Sequence, residues 1–212
     1  MPDSDSTALH VTTTPTLCVD FVNTLAWRGS AAVESLHRLD DVIDWLVANQ
    51  AVAPDQRAAI VGPHAPPSGS ARAADLLRAI REAREALYRS LRAVASGDAP
   101  AEKAIRELCD LINTAPPRRR VIAVTSRFEW ELDARSSSAA LILAPILWSA
   151  ADLLVSGAFR RLRECANNRC LWLFLDDSRS GRRRWCSMQS CGNRAKAQRH
   201  YQRRKDAAEP AA

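Results

Sequence analysis

Four cysteines crowd into the last quarter of the chain. Cys165 and Cys170 form one Cys-x4-Cys pair, Cys186 and Cys191 form a second, and fifteen residues separate the two. Thiolate sulfur is a favoured ligand of zinc, which takes four ligands in a tetrahedron. One short loop brings two thiolates to one side of the ion, and the second loop closes the other side. All four positions are then filled by protein, so the chemistry is structural: one zinc per chain, with no place for water or substrate.

Other uses of these residue types compete with this one. Buried free thiols and disulfides are the plain alternatives, and a reducing compartment argues against the latter. Iron–sulfur clusters use the same atoms at different spacings. Cys18 and Cys109 lie on apolar faces and read as core residues. His200 falls beside a shell that four thiolates already complete, so it reads as a surface residue.

The segment holding the cysteines is strongly basic. Fourteen Lys and Arg between Arg160 and Lys205 face only Glu164, Asp176 and Asp177, a net of 14 − 3 = +11 in a chain whose formal net charge is +6. The remainder carries 16 − 21 = −5. A mildly acidic body with a basic module is the asymmetry of a nucleic-acid binder. Arg179, Arg182, Arg183 and Arg184 lie between the cysteine pairs. Arg194, Lys196, Arg199, Arg203 and Arg204 lie on a helix that the composition predicts from Asn193 to Lys205. Phosphate contact is the functional reading for both groups, and a solvated surface is the plain one. Arg194 and Asn193 are equally suited to bracing the metal loop.

These residues need a scaffold, and the upstream pattern supplies one. A short strand is expected near Leu9 to Thr12, then a buried helix over Leu17 to Leu25 with Thr16 as its cap. Asp40 or Asp41 begins a second helix, and Pro54 opens a third. A Pro- and Gly-bearing connector follows from Pro63. The clearest element is Ala71 to Ala95, with apolar residues at three- and four-residue steps. Arg78–Glu82, Arg81–Glu85 and Glu85–Arg89 could pair along its wet side. Gly97 stops it, and Pro100 starts another helix that turns Ile105, Leu108, Cys109, Leu111 and Ile112 inward. Arg120 to Thr125 and Phe128 to Asp133 alternate as a hairpin. After Pro145 a long helix runs through Leu147 and Leu153 to Leu162 and delivers the chain to Cys165.

The expected fold is therefore α+β: a mostly helical N-terminal domain with a small β-hairpin or sheet, then a compact four-cysteine zinc module ending in a basic helix. The expected boundaries are 1–160, 161–206 and a disordered tail at 207–212. The longest apolar run, Ala139 to Leu147, is short for a membrane span, and the polar start lacks the form of a signal peptide. Both point to the cytoplasm. Asp20, Asn23, Trp27 and Arg28 are the one polar group of interest in the first domain. Asp20 and Asn23 share a helix face and could border a pocket for a small-molecule effector; helix capping or internal pairing is the plainer use. No nucleophile–base pair, phosphate loop or dinucleotide fingerprint is present, so no enzyme is expected. No motif specifies the oligomeric state.

The pattern Cys-x4-Cys, then Phe174, Asp176, Ser178, Arg179, Arg182, Arg183, Trp185 and Cys186, then Cys191-Gly192-Asn193-Arg194, resembles the CGNR zinc-finger family. The upstream segment LCVDFVNT resembles the start of the ABATE domain that precedes this finger. The resemblance implies a stress-induced transcription regulator: zinc held by the four cysteines, DNA as partner, and an N-terminal domain that senses a ligand or stress signal or mediates association. RNA binding, or a protein-interaction module with a purely structural zinc, remain the alternatives.

Overall fold

Amphipathic periodicity places the longest helix where the sequence predicts it. The computed structural model describes residues 9–61, 66–67, 69–96, 102–124, 127–133 and 136–208, with the last four given by backbone alone. The expectations for residues 1–8, Pro63, Gly97, Pro100 and the tail beyond Ala208 fall outside these. In chain order the elements are β1 (His10–Val11), α1 (Leu17–Val22), β2 (Leu25–Ala26), β3 (Val33–Glu34), α2 (Leu39–Ala48) and α3 (Ala71–Ala95). They continue with α4 (Glu102–Ile112), β4 (Arg120–Val124), β5 (Arg127–Glu131), α5 (Ser138–Val155), β6 (Leu162–Glu164), β7 (Leu173–Leu175) and α6 (Asn193–Ala208). Ser70 caps α3 by accepting from the Ala73 amide at 3.2 Å.

The core forms where α1, α3 and α5 meet. Phe21, Ile80, Leu87, Leu91, Leu141, Ile146 and Leu153 are among its buried residues. β5 lies between β1 and β4 in an antiparallel sheet, with Val121 opposite Trp130 and Val11 opposite the same residue. The hairpin reading of this stretch holds.

Three local expectations are corrected. Pro145 lies inside α5 rather than before it. Ser137 accepts from the Ala140 amide and starts the helix early, and every side chain from Leu141 to Ala150 is buried. Packing on all sides outweighs the one hydrogen bond that proline removes. α5 is, among the described residues, the one helix long and apolar enough to cross a membrane, at 18 residues with mean hydropathy 1.9. Its place here is the core. The helix ends at Val155; Gly157, at φ 74°, turns the chain, and Leu162 enters β6 instead. Cys109 is exposed. It lies about 100° around α4 from Leu108, the centre of the buried stripe.

The charge pairs expected along α3 are replaced by other contacts. Arg78 pairs with Asp75 at 2.7 Å, and the Arg81 Nε donates to the Leu36 carbonyl at 2.9 Å. Arg84, buried to 2% exposure, grips the Glu34 carboxylate through two hydrogen bonds of 2.7 Å and also reaches Thr24 and Glu85. Burial alone would raise the Glu34 pKa. The Arg84 hydrogen bonds and charge, with the Leu36 amide, hold it down at about 2.

β6 and β7 pair antiparallel, Leu162 with Leu175 and Glu164 with Leu173. Leu162, Leu173 and Leu175 bury into the same core as the helices above. The main core thus continues beyond residue 161, into the segment that carries the first cysteine loop.

Candidate metal centre and nucleic-acid interface

The four cysteine sulfurs converge. All lie within 4.8 Å of one another, with Cys170 Sγ 3.7 Å from Cys186 Sγ and Cys186 Sγ 3.8 Å from Cys191 Sγ. A tetrahedral zinc with sulfurs about 2.3 Å away sets those sulfurs about 3.8 Å apart. A disulfide needs sulfurs about 2.0 Å apart, and all four cysteines are free. Cys165, Cys170 and Cys191 are buried and Cys186 is partly so. The donor set and its spacing fit one structural zinc.

Local backbone chemistry produces this convergence. In the first loop the Cys165 amide donates to the Trp172 carbonyl, and the Cys170 amide donates to the Asn167 carbonyl, both at 2.8 Å. Leu171 takes a left-handed turn at φ 58°. In the second, Ser187 accepts from the Ser190 amide, and the Gly192 amide donates to the Ser187 carbonyl over a π-helical turn, Met188–Gly192. A Cβ on Gly192 would stand 2.7 Å from Met188 Sδ, so any larger residue there has to push the thioether aside. Two bonds tie the loops together: the Ala166 amide donates to the Arg184 carbonyl at 2.8 Å, and Asn167 Nδ2 donates to Cys191 Sγ at 3.3 Å.

The electrostatics suit a cation. Hydrogen bonds from the Cys170 and Cys186 thiols hold Cys165 far below the ordinary thiol range, while contact with that charge pushes Cys170 and Cys186 up. Sulfurs this close carry four negative charges together only when a positive ion stands among them.

The N-terminal domain completes the site. Trp27 packs with Cys165, Cys170, Cys191, Phe174, Trp172 and Trp185 in a second apolar cluster. Its backbone sits at φ 56°, a left-handed conformation that costs a bulky residue about 1–3 kcal/mol and persists only where surroundings enforce it. They do so here. The Gly29 amide donates to the Arg169 carbonyl, and a Cβ on Gly29 would lie 1.8 Å from the Asn168 oxygen. Asn23 grips β7 twice, donating to the Leu173 carbonyl at 2.8 Å and accepting from its amide at 3.1 Å. Arg28 bonds Glu85 and the Val22 carbonyl and lies 3.8 Å from the Tyr88 ring centre. The Tyr88 hydroxyl donates to the Leu171 carbonyl at 2.9 Å.

This changes the reading of the polar group in the first domain. Asn23, Trp27 and Arg28 are committed to internal contacts, and those of Asn23 and Trp27 run to the metal module. Asp20 is exposed on α1 beside the Thr16 hydroxyl. None of the four lines any of the three cavities described, of about 410, 630 and 460 Å³, which lie along α3 instead. Gly29 and Tyr88 carry no signal in the sequence because their partners lie roughly eighty to one hundred and forty residues away.

The basic residues divide into two sets. Arg183 is exposed but held by the module itself: its guanidinium bonds the Trp185 and Cys186 carbonyls and lies 4.6 Å from the Phe174 ring centre. Its amide donates to Asp176, whose buried carboxylate also accepts from the Ser178 hydroxyl and amide. These bonds, Ser178 foremost, lower the Asp176 pKa. Arg179, Arg182 and Arg184 are exposed, with Arg184 over Trp185 at 5.4 Å. On α6, Lys196, Arg199, Arg203 and Arg204 are exposed, and Arg194 sits over Trp27 at 4.5 Å. Asn193 donates to the Gln189 carbonyl and so braces the turn.

A search of curated proteins returned no match. Residues 161–204 match the CGNR zinc finger, and the convergent cysteines fall within that span. Residues 16–157 match ABATE, described as "Putative stress-induced transcription regulator". That match spans more than half of the 212 residues, and the chain belongs to the ABATE family, with a CGNR zinc finger following the ABATE region.

Proposed function

We propose that the chain is a cytoplasmic, zinc-dependent transcription regulator that binds duplex DNA through α6 and the arginines of the segment before Trp185. The carrying observation is α6 itself. Among its residues with described side chains only Ala195 is partly buried; the rest are exposed. A helix without an apolar face has no core of its own to join, and a strongly basic one finds its counterpart in a polyanion. The metal loops fix its first turn, so its direction is set before any partner arrives. The major groove of B-DNA, about 12 Å wide, admits a helix, whereas that of A-form RNA is too narrow. The ABATE region is where a signal would enter, and the cavities along α3 have room for a small effector.

Binding of zinc-loaded protein to duplex DNA, single-stranded RNA and folded RNA, measured by anisotropy across a salt series, tests this. About five engaged phosphates on duplex DNA give a log–log slope of about −4 to −5. Replacing Arg199 and Arg203 with Ala flattens that slope by about one unit per lost contact, whatever the sequence. Salt-indifferent binding favours a protein-interaction module; preference for RNA favours the other alternative.

A further inference from the structure

Among the described arginines of the basic module, Arg194 is the one whose guanidinium lies over a ring of the ABATE region. It is the second residue of α6, it is exposed, and among the described residues its guanidinium has no carboxylate or carbonyl partner. What it has is the indole of Trp27, 4.5 Å from the guanidinium carbon to the ring centre. Trp27 belongs to the ABATE region, and its position is enforced by the left-handed backbone and by the docking of Gly29 on the first metal loop.

The physical consequence is orientation. A free arginine side chain carries about 2 kcal/mol of rotamer entropy that a bidentate contact must remove. An aromatic face beneath the guanidinium takes the electrostatic attraction of the cation while leaving the in-plane N–H donors unspent. Those donors form the fork that matches O6 and N7 on the major-groove edge of guanine, the commonest specific contact in duplex DNA. The first turn of a helix entering the groove is where such a residue must stand.

We propose that Arg194 reads a guanine in duplex DNA and that Trp27 is the positioning residue that presents it, so that specificity depends on both regions of the chain. This rests on the duplex-DNA binding proposed above. It assigns Arg199, Arg203 and Arg204 to phosphates and Arg194 to a base.

The test is selection from a random duplex library with zinc-loaded full-length protein, followed by affinity measurements on the selected site and on single-base variants. The wild type is expected to require guanine at one position. Arg194→Lys keeps the charge but loses the planar fork, so the preference at that position falls roughly tenfold to a hundredfold. Because lysine keeps the charge, the loss falls on the selected site rather than on all sequences alike. Trp27→Ala lowers the same preference, and Trp27→Phe, which keeps an aromatic face, restores most of it. Zinc content of one per chain and unchanged circular dichroism are required of each Trp27 variant; if Trp27→Ala fails them, Arg194→Lys decides alone. A guanine preference that survives Arg194→Lys overturns the inference and leaves DNA binding standing. So does a preference that moves with Arg184→Lys, or a uniform loss across sequences in Arg194→Lys, which marks a phosphate contact. Absence of duplex binding by the wild type overturns the functional proposal and this inference with it.

Discussion

The helical core and the metal module fix their backbones by different means. Around α1, α3 and α5, order comes from apolar volume: dozens of aliphatic side chains are removed from water. Around the four cysteines the apolar cluster is small, four buried residues ringed by Trp27, Trp172, Trp185 and Cys186. A cluster of that size cannot offset the entropy of ordering the loops around it, and metal ligation supplies the difference. The two regions are nevertheless joined through one hairpin. β6 and β7 point Leu162, Leu173 and Leu175 into the helical core and present Phe174 to the metal cluster. Alternation along a strand lets a three-residue segment serve both sides.

The contrast is broken most severely by removing a ligand. Cys186→Ser should reduce zinc content below one per chain and abolish hydrogen-exchange protection from Asn167 to Leu171 and from Ser187 to Gly192. α3 and α5 should keep theirs. Because the hairpin is anchored in the helical core, Leu173 and Leu175 should stay protected as well. Loss of protection throughout α3 would show that the two regions stand or fall together.

A smaller effect is expected at the seam. Asn23→Ala leaves the Leu173 amide and carbonyl without their partner, at a cost of about 1–3 kcal/mol. Zinc loss to a chelator should quicken, although Asn23 touches no sulfur. Unchanged release kinetics would mean that the metal loops hold themselves without the first domain.

The smallest effect lies wholly in the helical core. Glu34 has a folded pKa of about 2, below its ordinary 4.5, so its contribution is complete above pH 4.5 and fades as the pH falls toward 2. Between about pH 4.5 and 3.5 the wild type should lose about 0.5 kcal/mol through this group, solvent screening of a partly exposed carboxylate included. Glu34→Gln should start lower and show a flatter acid limb in thermal unfolding. An identical limb in both proteins would remove Glu34 from the account.

The legible parts of this molecule are those set by local pattern. The span of α3 follows from its apolar steps, and the metal centre follows from two matched loops. Pro145 misleads because local backbone preference is a weak guide where a segment is buried on all sides, as α5 is. The fate of Arg183 is hidden for a similar reason. An arginine among arginines reads as surface, and only the folded loop brings the Trp185 and Cys186 carbonyls and the Phe174 ring to it. Trp27 stands out in the sequence as a neighbour of polar residues, yet its role at the metal cluster depends on contacts across more than one hundred residues.

Gly29 carries a consequence for anyone who would cut this protein. A fragment beginning at residue 161 contains every sulfur of the metal centre. It leaves behind the Trp27 indole, the Asn23 clamp and the backbone surface against which Asn168 rests with no space for a methyl group. Such a fragment would bind zinc with one wall missing. A portable form of the finger would have to bring the stretch from α1 to Ser30 with it, stitched on by a new linker, because the seam in the molecule does not run where the chain changes composition.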